Sequence, residues 1–155
     1  TLEPLHEHLF EYKTHMMQNY GAGVQACYRG PRLYDTPETQ AAVTEVIQWY
    51  KKYRDILNSD MIHLRRPDAR DWDGFIHVNP HKKEKGLAMF FNPAHQEITR
   101  TIHIPLYYTG LTQTARIREK EQKPVTYKLN RDYTVELTVK IPANGYTWYV
   151  VEAAD

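Results

Sequence analysis

The spacing of hydrophobic residues changes near Asn58. Up to that point, apolar residues recur at intervals of three or four, as in an amphipathic helix. Beyond it, apolar and polar residues alternate in short runs, which is typical of strands with one buried face. The pattern predicts a mainly β protein, with a helical segment over residues 1–58 and an antiparallel β-sandwich over residues 59–155.

The first segment predicts two helices with a short strand between them. The first helix spans residues 2–19 and stops at a glycine-containing turn. The second spans Pro37–Leu57, with Thr36 as its cap and Pro37 in its first turn. The apolar run over residues 23–28 predicts a buried strand. Because helix–strand–loop–helix is the pattern of the last units of an α/β barrel, we interpret residues 1–58 as the end of a (β/α)8-type domain.

The second segment predicts seven to eight strands, separated by turn dipeptides such as Asp-Gly, Asn-Pro and Asn-Gly. Short strands at intervals of about 8–12 residues are typical of an antiparallel sandwich. The predicted strands are residues 62–65, 75–79, 87–92, 98–104, 115–120, 126–129, 133–141 and 147–152.

Composition removes several classes of function. Twenty basic and 19 acidic side chains leave a net charge of +1, which gives no electrostatic case for nucleic acid or an anionic membrane. The single cysteine, Cys27, excludes an internal disulfide framework. The sequence contains no phosphate-binding loop, no dinucleotide fingerprint and no nucleophile elbow, so neither a cofactor nor a nucleophile is predicted.

Three stretches of the chain carry a resemblance to a known family. They are Ile47–Leu57 followed by the strand at residues 62–67, then residues 86–93, and finally residues 141–148. Together they are similar to the C-terminal end of α-galactosidase-like glycoside hydrolases, in which the last barrel helix precedes a β-sandwich. The resemblance implies that this chain is the C-terminal accessory region of a glycosidase, supporting a catalytic barrel that lies upstream in the same polypeptide.

The resemblance also implies where the chemistry lies. Such enzymes cleave glycosidic bonds with two carboxylates on barrel strands upstream of this segment, so no catalytic residue is assigned to this chain. The chain begins Thr1-Leu2-Glu3-Pro4, which we interpret as the start of a fragment of a longer protein. Carbohydrate would then reach the chain through its parent, and a parent that degrades polysaccharide would be secreted or periplasmic.

Two polar clusters are candidates for sugar binding. If residues 24–28 form the last barrel strand, Tyr28, Arg29 and Arg32 lie at its C-terminal end, where barrel enzymes build their sites. The alternative is that this stretch only joins two helices.

The second cluster is the loop at residues 65–74, which contains Arg70, Asp71, Trp72 and Asp73. An aromatic face beside carboxylates and guanidinium groups suits a pyranose ring and its hydroxyls. The same inventory builds a salt-bridged loop with Trp72 as a packed anchor. A calcium loop is the weakest reading, because further carboxylates at regular spacing are lacking.

Eight histidines do not make a metal site. His6 and His8 point to different faces of a helix, and His63, His77 and His103 fall on three separate predicted strands. No Cys or His pairing at zinc spacing occurs, so no metal is predicted.

Two further hypotheses stay open. An independent carbohydrate-binding module would expose aromatic side chains such as Trp72, Tyr107, Tyr108 and Tyr146, whereas a non-enzymatic interaction domain would have no sugar role. The accessory-region hypothesis instead predicts an exposed apolar face on the helices, for which the candidates are Val43, Ile47, Tyr50 and Tyr53.

Overall fold

A computed structural model describes residues 2–26 and 30–154. The chain divides into two compact units, Thr1–Leu57 and Asn58–Asp155. The first is helical and the second consists almost entirely of antiparallel strands.

The helical unit contains a 3-10 turn at Leu5–His8 and two helices, α1 at Leu9–Gly21 and α2 at Pro37–Leu57. The helices pack against each other, with the rings of Tyr20 and Tyr50 centred 5.2 Å apart. Tyr12 is buried, and its hydroxyl donates a hydrogen bond to the carbonyl of Leu33 at 2.8 Å, which fastens the connection between the helices to α1. Both predicted helices are confirmed, although residues 2–8 precede α1 and Leu5–His8 form the 3-10 turn.

The strand predicted between the helices is wrong where the structure describes it. Residues 23–26 form a turn and an irregular segment, while residues 27 and 28 lie outside the described residues. Gly23 has a φ of 76°, and its N–H donates to the carbonyl of Tyr20 while the N–H of Val24 donates to that of Asn19. This is the hydrogen bonding of a helix C-terminus, and it leaves Val24 about half exposed.

The predicted exposed face of the helices is also wrong for two of its four members. Val43 and Tyr53 are buried, and Ile47 and Tyr50 are half-buried. The large apolar side chains that are exposed in this unit come from other positions: Phe10, Val24, Leu33 and Tyr34.

The second unit is a β-sandwich of eight strands, as predicted. The strands are β1 Asp60–Arg65, β2 Asp73–Val78, β3 Gly86–Phe91, β4 Ile98–Pro105, β5 Thr114–Glu119, β6 Val125–Lys128, β7 Thr134–Ile141 and β8 Tyr146–Glu152. Six of them form one antiparallel sheet in the order β1-β2-β3-β8-β5-β6, and β4 pairs with β7 in a second sheet.

The sandwich core lies between the two sheets. On β7, Val135, Leu137, Val139 and Ile141 are buried and alternate with exposed polar residues, so one face of the strand packs and the other is wet. They meet buried residues of the larger sheet in a single cluster, which includes Ile76, Phe90, Ile117 and Val151. In contrast, β3 is buried along its whole length.

No helix in the described part of the chain is long and apolar enough to cross a membrane.

Candidate functional site

Asp68 organises the loop that joins β1 and β2. One carboxylate oxygen accepts a hydrogen bond from the Arg65 guanidinium at 2.8 Å, and the other accepts from the backbone N–H groups of Arg70 and Asp71 at 2.9 and 3.0 Å. These donors, Arg65 first, hold the pKa of the Asp68 carboxyl well below its usual range. Ala69 has a φ of 60° within this tight turn. The loop is therefore closed by its own polar groups.

Asp71 and Trp72 fasten the same loop to the sandwich. Asp71 caps the N–H of Trp72 at 2.8 Å and forms an ion pair with Arg100 of β4 at 3.2 Å. The Trp72 ring lies 5.9 Å from the ring of Phe90, a core residue of β3, and the Arg65 guanidinium sits over it at 5.9 Å. The indole is half-buried, and it contacts both the core ring of Phe90 and the Arg65 guanidinium.

Within this cluster, the side chains of Asp73 and Arg70 have the fewest contacts in the described part of the chain. Burial raises the pKa of the half-buried Asp73 carboxyl, and the nearby Arg65 offsets only part of this effect. Arg70 is exposed, and its backbone N–H bonds to Asp68. The four predicted residues, Arg70 to Asp73, therefore lie in one loop. Most of the hydrogen bonds described in this loop join its own groups.

The other predicted cluster is not assembled among the described residues. Arg32 is exposed, and its guanidinium lies 3.7 Å from the carboxylate of Glu3. Tyr28 and Arg29 lie outside the described residues. Arg32 stays close to the helical core through its neighbours, because Leu33 accepts from Tyr12 and Asp35 bonds to His6 at 2.8 Å.

Within residues 2–26 and 30–154, no group of three or more His, Cys, Asp or Glu side chains is arranged to hold a metal ion. The histidines have other contacts: His103 pairs with Glu136 on β7 at 3.3 Å, and buried His77 lies 3.3 Å from the carbonyl of Ser59.

A third cluster lies where the chain passes between the two sheets. Tyr107 and Tyr108 follow β4 and are 61% and 63% exposed. The Tyr107 ring is centred 5.1 Å from that of Tyr108 and 5.4 Å from that of Tyr133, which precedes β7. A cavity of about 370 Å3 opens beside these rings, and a second of about 630 Å3 adjoins it.

Sequence reasoning found part of this third cluster and missed the rest. The Tyr107-Tyr108 pair was recognisable as aromatic residues beside a Gly turn. Tyr133 and the second cavity were not, because residues 106–113 and 129–133 come together only through the sheet order. The N–H of Leu106 donates to the carbonyl of Tyr133, and that of Leu129 donates to the carbonyl of Gln113.

Comparison with known proteins gives a likeness in structure alone. No family model and no functionally curated protein matches the sequence. Among solved structures, α-galactosidase I from Mortierella vinacea superposes with a TM-score of 0.59 and 11% identity, over 92% of this chain and 35% of its own. A putative α-N-acetylgalactosaminidase from Bacillus halodurans gives 0.58 and 9%, over 93% and 31%.

An α-amylase from Geobacillus thermoleovorans, solved with acarbose, matches equally well, with a TM-score of 0.59 and 12% identity over 95% of this chain and 34% of its own. At these identities, the likeness establishes a shared fold. The chain spans about a third of the length of each of these structures.

Proposed function

We propose that this chain is the C-terminal accessory region of a glycoside hydrolase, in which the β-sandwich supports a catalytic barrel encoded upstream. The observation that carries the proposal is the extent of the structural likeness. The matches to two galactoside-type glycosidases and an amylase each cover more than 90% of the chain, so they include residues of both the helical unit and the sandwich.

The side-chain contacts of the β1–β2 loop agree with this role. In the β1–β2 loop, the Asp68 carboxylate bonds to Arg65, and Asp71 pairs with Arg100 of β4. In the proposed parent, glycosidic cleavage would be carried out by two carboxylates on barrel strands, one acting as acid/base and the other as nucleophile or base. This chain would contribute stability to that barrel rather than reacting groups.

The proposal is tested by extending the reading frame upstream of Thr1 and assaying the complete protein. We expect about seven further strand–helix units, with Asp or Glu at the ends of two strands, and hydrolysis of nitrophenyl α-galactoside or maltoheptaose. Replacing either carboxylate with its amide should abolish turnover. An upstream frame without strand–helix units, or a complete protein inactive on a broad glycoside panel, would reject the accessory role.

For the β1–β2 loop, we infer that its role is structural and that it does not bind sugar. Asp68 receives three hydrogen bonds within the loop, whereas Arg70 projects from it. Asp68→Ala should therefore lower the melting temperature of the chain, and Arg70→Ala should leave both stability and the KM of the parent unchanged. A raised KM for Arg70→Ala at unchanged stability would restore the loop as a sugar site.

A further inference from the structure

A groove between the segment that follows β4 and the segment that precedes β7 has the properties of a ligand site. We call it the tyrosine groove and define it by Tyr107, Tyr108 and Tyr133 with the two cavities that adjoin them. The cavities share Thr112 and Tyr133 as lining residues, so they form one continuous depression. Their volumes, about 370 and 630 Å3, are in the range of small-molecule sites.

One half of the tyrosine groove is aromatic. Its smaller cavity is lined by the three tyrosines with Leu111, Gly110 and Pro80. Gly110 has a φ of 79°, and a Cβ there would lie 3.0 Å from the Cβ of Pro80, so this wall needs glycine. Tyr107 and Tyr133 meet at 69°, which fixes the rings by edge contact and leaves Tyr107 largely open to solvent.

The other half of the groove carries cationic side chains. Its larger cavity is lined by Leu129 and Tyr133 together with hydroxyl, amide and cationic side chains: Thr112, Gln113, Thr114, Lys128, Asn130 and Arg131. No carboxylate of the described residues lines either cavity. The nearest acid in sequence, Asp132, accepts from the N–H and hydroxyl of Thr134 at 3.2 and 2.7 Å.

Two cations in this half have no partner in the described part of the chain. Neither Lys128 nor Arg131 forms an ion pair there, although the protein as a whole balances 20 basic against 19 acidic side chains. The groove is therefore locally positive in a chain that is nearly neutral, and charge complementarity favours an anionic ligand.

We propose that the tyrosine groove binds an acidic oligosaccharide, one whose sugar rings carry carboxylates. The C–H face of a pyranose would stack on Tyr107 or Tyr108, its hydroxyls would bond to Gln113, Thr114 and Asn130, and its carboxylate would face Lys128 and Arg131. A neutral sugar would satisfy the aromatic and amide groups but leave both cations without a counter-charge. This site adds a binding function to the chain and does not depend on the accessory role.

The test is calorimetric titration of the full chain with tetragalacturonate, with maltotetraose as the neutral probe and adenosine monophosphate as an aromatic anion that lacks a pyranose ring. We expect tetragalacturonate to bind at least about tenfold more tightly than either comparison compound. Binding should weaken as NaCl rises from about 0.05 M to about 0.5 M, because exposed charges are screened.

Variants locate the site. Tyr108→Ala and Arg131→Gln should each weaken tetragalacturonate binding about tenfold or more. Arg66→Gln is the matched control, because Arg66 is an exposed arginine after β1, at the opposite edge of the six-stranded sheet from β6. Circular dichroism of each variant shows that the fold is retained.

Each other outcome overturns the proposal. Equal binding of maltotetraose would reject the anionic specificity, and equal binding of adenosine monophosphate would reject recognition of the pyranose ring. Absence of binding at millimolar tetragalacturonate, or equal loss in Arg66→Gln and Arg131→Gln, would reject the groove itself. Failure here leaves the upstream reading frame, and hence the accessory role, untouched, so the two proposals fail separately.

Discussion

Single residues in this chain are held in place by specific short-range contacts. Gly74 begins the buried part of β2, pairs with Phe90 of β3 and packs so closely that a Cβ would lie 2.5 Å from the carbonyl oxygen of Met89. Asp35 binds the imidazole and N–H of His6 and so ties the start of α2 to the N-terminal turn. Each contact predicts a measurable consequence.

Gly74→Ala should destabilise the chain by about 1–3 kcal/mol, because the new methyl group would meet a backbone carbonyl that cannot move without disturbing the β2–β3 ladder. Urea unfolding of the full chain measures the loss. Gly86→Ala is the matched control in the same sheet, since its nearest contacts are side-chain atoms of Val151 and Ile76 at 3.2 and 3.3 Å. A loss as large for Gly86→Ala would contradict the argument from backbone crowding.

We expect the Asp35 carboxylate to stabilise the folded chain by an amount that depends on pH. Burial works to raise the pKa of its carboxyl, but hydrogen bonds from His6 and Thr39 outweigh this effect and lower the pKa from 3.8 to about 2. Because the folded pKa is depressed, the stabilisation is present above the unfolded value and is lost as pH falls through the folded one.

Melting curves of the native chain and Asp35→Asn measure this contribution. The native chain should melt at the higher temperature at about pH 5, and the difference should shrink between about pH 4 and pH 2. A difference that stays constant over that interval would show that ionisation of Asp35 is not the source.

The elements were largely predictable because their patterns are local. The alternation of buried Val135, Leu137 and Val139 with exposed neighbours identifies β7 without reference to any partner. The strand expected after α1 is wrong over residues 23–26. Gly23, with its positive φ, ends the helix, and the N–H of the apolar Val24 bonds back to that helix end.

The start of α2 shows a local pattern that can be tested. Thr39 is fully buried, and its hydroxyl accepts from the N–H groups of Asp35 and Thr36 at 3.0 and 2.9 Å, while its own N–H lies 3.3 Å from the Thr36 hydroxyl. Thr39→Val keeps the shape of the side chain but leaves two N–H groups without an acceptor, which should cost about 2 kcal/mol.

Thermal unfolding at neutral pH measures the effect, with Thr44→Val as the control. Thr44 lies on the same helix, but it is exposed, and its hydroxyl donates to the carbonyl of Gln40. We expect that variant to stay within about 0.5 kcal/mol of the native chain. Similar losses in the two variants would mean that valine propensity, and not the cap, accounts for the effect.

At the scale of the whole molecule, the sequence does not determine which strands pair. β8 lies between β3 and β5 in the larger sheet, and β4 pairs with β7 in the second sheet along eight residue pairs. These partner strands are distant in the chain. The alternation of apolar and polar residues shows that a strand has a buried face, but it does not identify the strand that packs on that face. The tyrosine groove depends on the same long-range order, because Tyr107 and Tyr133 flank β4 and β7. That is why Lys128 and Arg131 could not be assigned to it from sequence.

The proposed support of a barrel by the sandwich predicts how the parent enzyme responds when the sandwich is damaged. Val139 is fully buried between the sheets, so Val139→Asp would place a carboxylate in an apolar core at a cost of several kcal/mol. Thr138→Asp changes the neighbouring residue on the exposed face of the same strand and is the matched control.

In the parent, Val139→Asp should lower the temperature of half-inactivation by about 10 °C or more, while kcat measured well below that temperature stays within about twofold of the native value. Thr138→Asp should change neither quantity. This separation follows because the sandwich contributes to stability but places no group at the reacting bond. A Val139→Asp enzyme with native thermal stability would show that the barrel stands without the sandwich. A selective fall in kcat would instead place part of the sandwich in the chemistry.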